Sequence, residues 1–84
     1  MTIINQIKSA TSKEEVRTVL KDRTAEVRLV FLKNAVDSLN KEIECDIAGE
    51  NIDIAIFKMG QVVLLEDEQH IVERVILAES VLAR

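Results

Sequence analysis

The stretch AEVRLVFLKNAVDSLNKEI, residues 25–43, decides the fold. Within it Ala25, Leu29, Leu32, Val36, Leu39 and Ile43 recur at spacings of 4, 3, 4, 3 and 4, an apolar seam down one side of an α-helix. Arg28, Lys33, Asn34, Asp37, Asn40, Lys41 and Glu42 fall off the seam and can face water, and no proline interrupts the run. The seam is about two and a half heptads long, short of the three or four that pattern alone requires for a coiled coil. It therefore reads as the central helix of a small bundle, with Leu29, Leu32 and Val36 also candidates for a contact between subunits.

Working outward toward the N-terminus, Ser12-Lys13-Glu14-Glu15 is a capping box. The Ser12 hydroxyl can accept from the Glu15 amide while the Glu15 carboxylate reaches back to the Ser12 amide, which starts a helix at Lys13 with Val16, Val19 and Leu20 inward. Thr24-Ala25-Glu26 re-caps the next helix, so Lys21–Thr24 reads as a corner. Residues 2–9 form a short first helix with Ile3, Ile4 and Ile7 on one face, too short to stand without docking.

Toward the C-terminus, the central helix is expected to end near Ile47–Ala48, with Gly49 taking the left-handed conformation that closes it and Asn51 capping the next segment. Residues 52–66 carry two readings. Ile52, Ile54 and Ile56 alternate with Asp53 and Ala55, and Gly60 precedes another apolar run, as in an α+β fold with a hairpin of strands at 52–58 and 61–66. Ala55 and Phe57 spoil that alternation, whereas Ile52, Ile56, Met59 and Val63 keep helical spacing, and helix is the favoured reading. Asp67 either caps a last helix or lies within one long helix. From His70 on, Ile71, Val75, Ala78 and Leu82 form one apolar face, yet Leu77 and Val81 stand on the opposite, polar side. A chain of 84 residues has little room to bury both sides, so Leu77 and Val81 point to self-association or a partner groove.

Size and composition agree with that expectation. The chain reads as one domain near the length at which a single core barely suffices, and with Cys45 its only cysteine it has no internal disulfide to help. A lone thiol and an N-terminus without a basic segment and long apolar segment fit a cytoplasmic setting. No apolar run approaches the roughly 18 residues of a membrane span. Charge is uneven: up to Lys41 eight Lys/Arg stand against five acids (+3), and from Glu42 three stand against ten (−7). Such asymmetry can pair two copies or the two halves of one chain.

Chemistry-bearing patterns are sparse. Glu66, His70 and Glu73 share a helix face, but one histidine among solvated acids is ordinary for a helix surface and makes a weak metal set. Cys45 has no companion motif and reads as a half-buried structural cysteine near a helix end. Gly49 and Gly60 are the only glycines, too few for a phosphate-cradling fingerprint. No catalytic residue, cofactor or metal is therefore expected, and the chain does not read as an enzyme. Lys13, Arg17 and Lys21 line one helix face with Arg28 beyond the corner, an arrangement that resembles a helix-turn-helix in outline. Overall acidity, the apolar Leu29–Leu32 run and the lack of aromatic platforms weigh against nucleic acid, which stays the second reading, ahead of a metal or small ligand. The composition is similar in style to that of small accessory proteins of phages and bacteria. The expectation is an all-α bundle of about four helices that forms a homo-oligomer and binds a protein target, as a regulator or adaptor that sequesters or inhibits it.

Overall fold

The structure, a computed structural model, describes residues 2–83. Four helices follow one another: α1 (Ile3–Lys8), α2 (Lys13–Leu20), α3 (Ala25–Ala48) and α4 (Ile52–Leu82). There is no strand among the described residues: 52–66 is continuous helix, the favoured reading, and the alternative hairpin does not form. The apolar alternation there comes from Ile54 lying on a different side of α4 from Ile52 and Ile56, all three exposed.

Each of the first three helices starts on a hydroxyl. Thr2 accepts from the Asn5 amide, Ser12 from Glu15 and Thr24 from Val27, meeting amides that the first turn leaves without partners. The second half of the expected capping box is different: the Glu15 carboxylate bonds the Thr11 hydroxyl at 2.6 Å and the Thr11 amide at 3.2 Å, one residue upstream of Ser12. The α2–α3 corner forms as read, with the Arg23 amide donating to the Leu20 carbonyl at 3.1 Å. The Arg23 guanidinium reaches back to the Val19 carbonyl and lies 5.5 Å from the centre of the Phe31 ring, bracing the bend.

The turn between α3 and α4 departs from expectation in one respect. Gly49 keeps φ −87° and the left-handed residue is Glu50, at φ 63°. The amide of Asn51 donates to Asp46 at 2.7 Å and that of Glu50 to Ile47 at 3.1 Å, the paired bonds of a Schellman closure with Glu50 in the position glycine ordinarily fills. Asn51 stands at the N-cap of α4 but its side chain makes no capping bond. The helix then runs through Gly60 and past Asp67 without a break.

The two long helices pack antiparallel and carry most of the core. From α3 come Ala25, Leu32, Ala35, Val36, Leu39 and Ile43; from α4 come Ala55, Val62, Leu65 and Val72, with Ile76 partly buried. Both sets keep the 3–4 spacing that lets two helices interlock nearly side by side. Ile7 of α1, Ala10, and Val16 and Leu20 of α2 close one side of this pair. The burial on α4 is rotated from the expected face: Val72 and Ile76 turn inward, while Val75, Ala78 and Leu82 are exposed and Ile71 is half-buried. Val72 and Ile76 continue the Val62–Leu65 strip at heptad spacing, and a straight helix cannot change its buried side midway.

A left-handed backbone costs a residue with a side chain about 1 kcal/mol or more, which glycine avoids. Glu50→Gly is therefore expected to raise stability by about 0.5–1 kcal/mol in urea denaturation; an unchanged or lower midpoint would contradict the geometry of this turn.

Candidate interaction surface

The position of α4 is fixed by polar contacts as well as by the apolar strip. Gln61, buried in the middle of α4, donates from Nε2 to the carbonyls of Lys8 at 2.8 Å and Ala10 at 2.7 Å. Those carbonyls lie at the end of α1 and just beyond it, and leaving one buried without a donor costs about 1–3 kcal/mol. Two turns further, the Glu68 carboxylate is only 3% exposed and takes a fork of bonds from Arg17 of α2, Nε at 2.6 Å and Nη2 at 3.0 Å. The hydrogen bond to Glu68, with its charge, pushes the Arg17 guanidinium above its already high ordinary value. Lys13 reaches Asp67 at 3.8 Å. At the α3–α4 end, Lys58 bonds Asp46 at 2.8 Å and Glu42 at 3.2 Å, while Lys8 of α1 bonds both Glu42 and Ser38. The hydrogen bond from Lys8, helped by Lys58, holds the Glu42 carboxyl below its ordinary range, and the bond to Asp46 raises the Lys58 ammonium. The basic first half and acidic second half thus pair within the chain at Lys8–Glu42, Lys13–Asp67 and Arg17–Glu68.

These contacts turn one side of α4 inward and leave the opposite side bare. Along it, in order, come Ile52, Ile56, Met59 and Val63, then Glu66 and Asp67, then His70 and Arg74, then Leu77 and Val81, all exposed. At about 100° per residue these ten positions fall within roughly a third of the helix circumference. A shallow hollow lined by His70, Glu73, Arg74 and Leu77 lies on this side. Phe57, Val75 and Leu82 add apolar surface beside it, Leu82 at 85% exposure. Among the described residues thirteen large apolar side chains are exposed, ten of them on α4, against ten large ones buried in the whole core. Scattered exposed apolar residues are normal on a protein surface; a contiguous stripe along one helix is the pattern of contact surfaces.

The residues singled out from the sequence divide clearly. Leu77, 65% exposed, and Val81 stand on the bare side of α4. Leu32 and Val36 are buried in the core of their own chain and Leu29 is half-buried against it, so the α3 seam serves packing within the subunit and offers little to a partner. Of the basic set, Lys13 and Arg17 are engaged with acids of α4, Lys21 is exposed, and Arg28 has a buried Nε without a hydrogen-bond partner. They do not form one open cationic face. Cys45 is exposed on α3, not half-buried, because it lies across the helix from the Leu39–Ile43 strip. Glu66, His70 and Glu73 do follow one another along α4, with His70 Nδ1 3.8 Å from Glu73, but no group of three His, Cys, Asp or Glu among the described residues is arranged to hold a metal ion. No described helix is long and apolar enough to cross a membrane.

Gln61 and Glu68 were not singled out from the sequence. Each lies on the buried side of α4, where a polar residue signals a specific partner, but those partners are 51 to 53 residues away in the chain. In comparison with known proteins, no family model, curated protein or solved structure matches the chain.

Because the Glu42 carboxyl is held below its ordinary value of 4.5, its contribution to stability is full above that value and is lost as pH falls through the folded one. Urea midpoints measured from neutral pH down to about pH 3 should fall less steeply in Glu42→Gln than in the wild type, with the variant the less stable at neutral pH. Parallel profiles would mean that the Lys8–Glu42–Lys58 cluster contributes nothing.

Proposed function

We propose that this chain is a small non-enzymatic binding protein, a regulator or adaptor that acts by associating with itself and with a protein target through the outer side of α4. The observation that carries the reading is the unbroken exposed stripe from Ile52 to Val81, apolar at both ends and charged in the middle. Burying one large aliphatic side chain stabilises by about 1.5–3 kcal/mol, so a partner covering several of them gains enough to offset the freedom lost on association. Support also comes from shape. The radius of gyration is 14.1 Å, where a compact chain of this length has about 12 Å, and the accessible surface is 5609 Å², where a compact monomer of this mass has about 5000 Å². The nucleic-acid reading loses support with Lys13 and Arg17 already engaged by carboxylates, since free cations supply most affinity for phosphate.

Leu77→Glu and Val81→Glu place a charge on the bare stripe without touching the core. Each is expected to leave the helical circular dichroism intact and to reduce the assembly mass in light scattering. Variants that keep the wild-type mass would remove the last turns of α4 from the contact.

A further inference from the structure

The order of side chains along the bare side of α4 carries more than the presence of a contact. From N- to C-terminus it reads apolar (Ile52, Ile56, Met59, Val63), acidic (Glu66, Asp67), basic (His70, Arg74), apolar (Leu77, Val81), with every member exposed. The acidic and basic blocks meet close to residue 69, near the middle of that run. A second copy laid parallel in register sets Glu66 against Glu66 and Arg74 against Arg74, and like charges in contact are destabilising. Turned antiparallel about an axis near residues 68–70, the same helix sets Glu66 of each copy against Arg74 of the other, with the two His70 side chains meeting near the axis. The same turn brings Met59 and Val63 of each copy against Leu77 and Val81 of its mate. The charged pair and the inner apolar residues Met59, Val63, Leu77 and Val81 are matched at once, each pair occurring twice as a two-fold contact requires, while Ile52 lies outside the overlap.

We infer that the outer side of α4 is the interface of an antiparallel two-fold homodimer centred near residues 68–70, with Glu66 of each copy paired to Arg74 of the other. The inference rests on the proposed reading that α4 is the contact surface, and it adds the occupant, the direction and the register. Four features of the chain favour a second copy over another occupant. The stripe is complementary to its own reversal. Its central histidine is held only lightly within the chain, His70 Nδ1 lying 3.8 Å from Glu73. The stripe lies across the helix from the buried Gln61 and Glu68 side, and α2 reaches it only at its edge, through Lys13 to Asp67. The exposed end of α4, with Leu77 at 65% exposure, would lie on the Met59–Val63 stretch of the mate.

Charge reversal tests the register. Glu66→Arg alone sets two arginines together at both ends of the charged block, and Arg74→Glu alone sets two carboxylates together. Each single variant should dimerise at least about tenfold more weakly than the wild type in sedimentation velocity, with the helical circular dichroism unchanged. Mixing the two variants should restore association as a one-to-one heterodimer, visible in native mass spectrometry, because both cross-pairs become complementary. The double variant Glu66→Arg/Arg74→Glu should self-associate like the wild type. If the wild type associates but the single variants associate as well as it does, or the mixture forms no heterodimer, the antiparallel register is overturned while α4 remains a contact surface. A wild type that sediments as a single chain while a different protein occupies α4 would overturn the homodimer and leave the binding reading standing.

Discussion

A 31-residue helix runs about 46 Å, and everything packed against α4 is shorter. Its antiparallel neighbour α3 has 24 residues, about 36 Å, and α1 and α2 have six and eight. The molecule accordingly measures 51 × 23 × 17 Å, a rod with a thickened middle. These partners leave one side of α4 and its last turns uncovered. The last turns, with Leu77, Val81 and Leu82, run beyond the start of α3 and face solvent. From this mismatch follow the large apolar exposure, the extended shape and the reading of α4 as a contact surface.

Polar contacts decide which side is left bare. An amphipathic helix with one apolar stripe needs no such help, but α4 is apolar on several sides and could dock on α3 in more than one rotation. Gln61 against the end of α1 and Glu68 against Arg17 favour the observed one, in which the Lys8 and Ala10 carbonyls and the buried carboxylate all have partners. Asp67 and Glu68 of α4 pair with Lys13 and Arg17 of α2, and Glu42 of α3 with Lys8 of α1, each across a long sequence separation. The same pairing engages Lys13 and Arg17 with carboxylates of α4.

The helices themselves were legible because their signals are local. The seam at 25–43, the hydroxyl caps at Ser12 and Thr24 and the stop near Gly49 all act within four or five residues of one another. The features that were not legible are non-local or depend on small differences. The buried face after His70 could not be told from Val75, Ala78 and Leu82, since Val72 and Ile76 are equally apolar and only the Val62–Leu65 strip upstream sets the phase. Glu50 holds the left-handed position although Gly49 is adjacent, because the closing bonds fall one residue later than the glycine. The exposure of Leu77 and Val81 could be read from their polar surroundings, whereas Leu32 and Val36 carry the same signal as any core residue.

Pairing of the bare side of α4 with a second copy of the chain is the central claim, and sedimentation equilibrium of the wild-type protein over a wide concentration range tests it most directly. The expected result is a mass of twice the 9.5 kDa chain at the upper concentrations, falling toward one chain on dilution. A single-chain mass maintained up to about 1 mM, where even a contact worth only about 4 kcal/mol would be half formed, would contradict it.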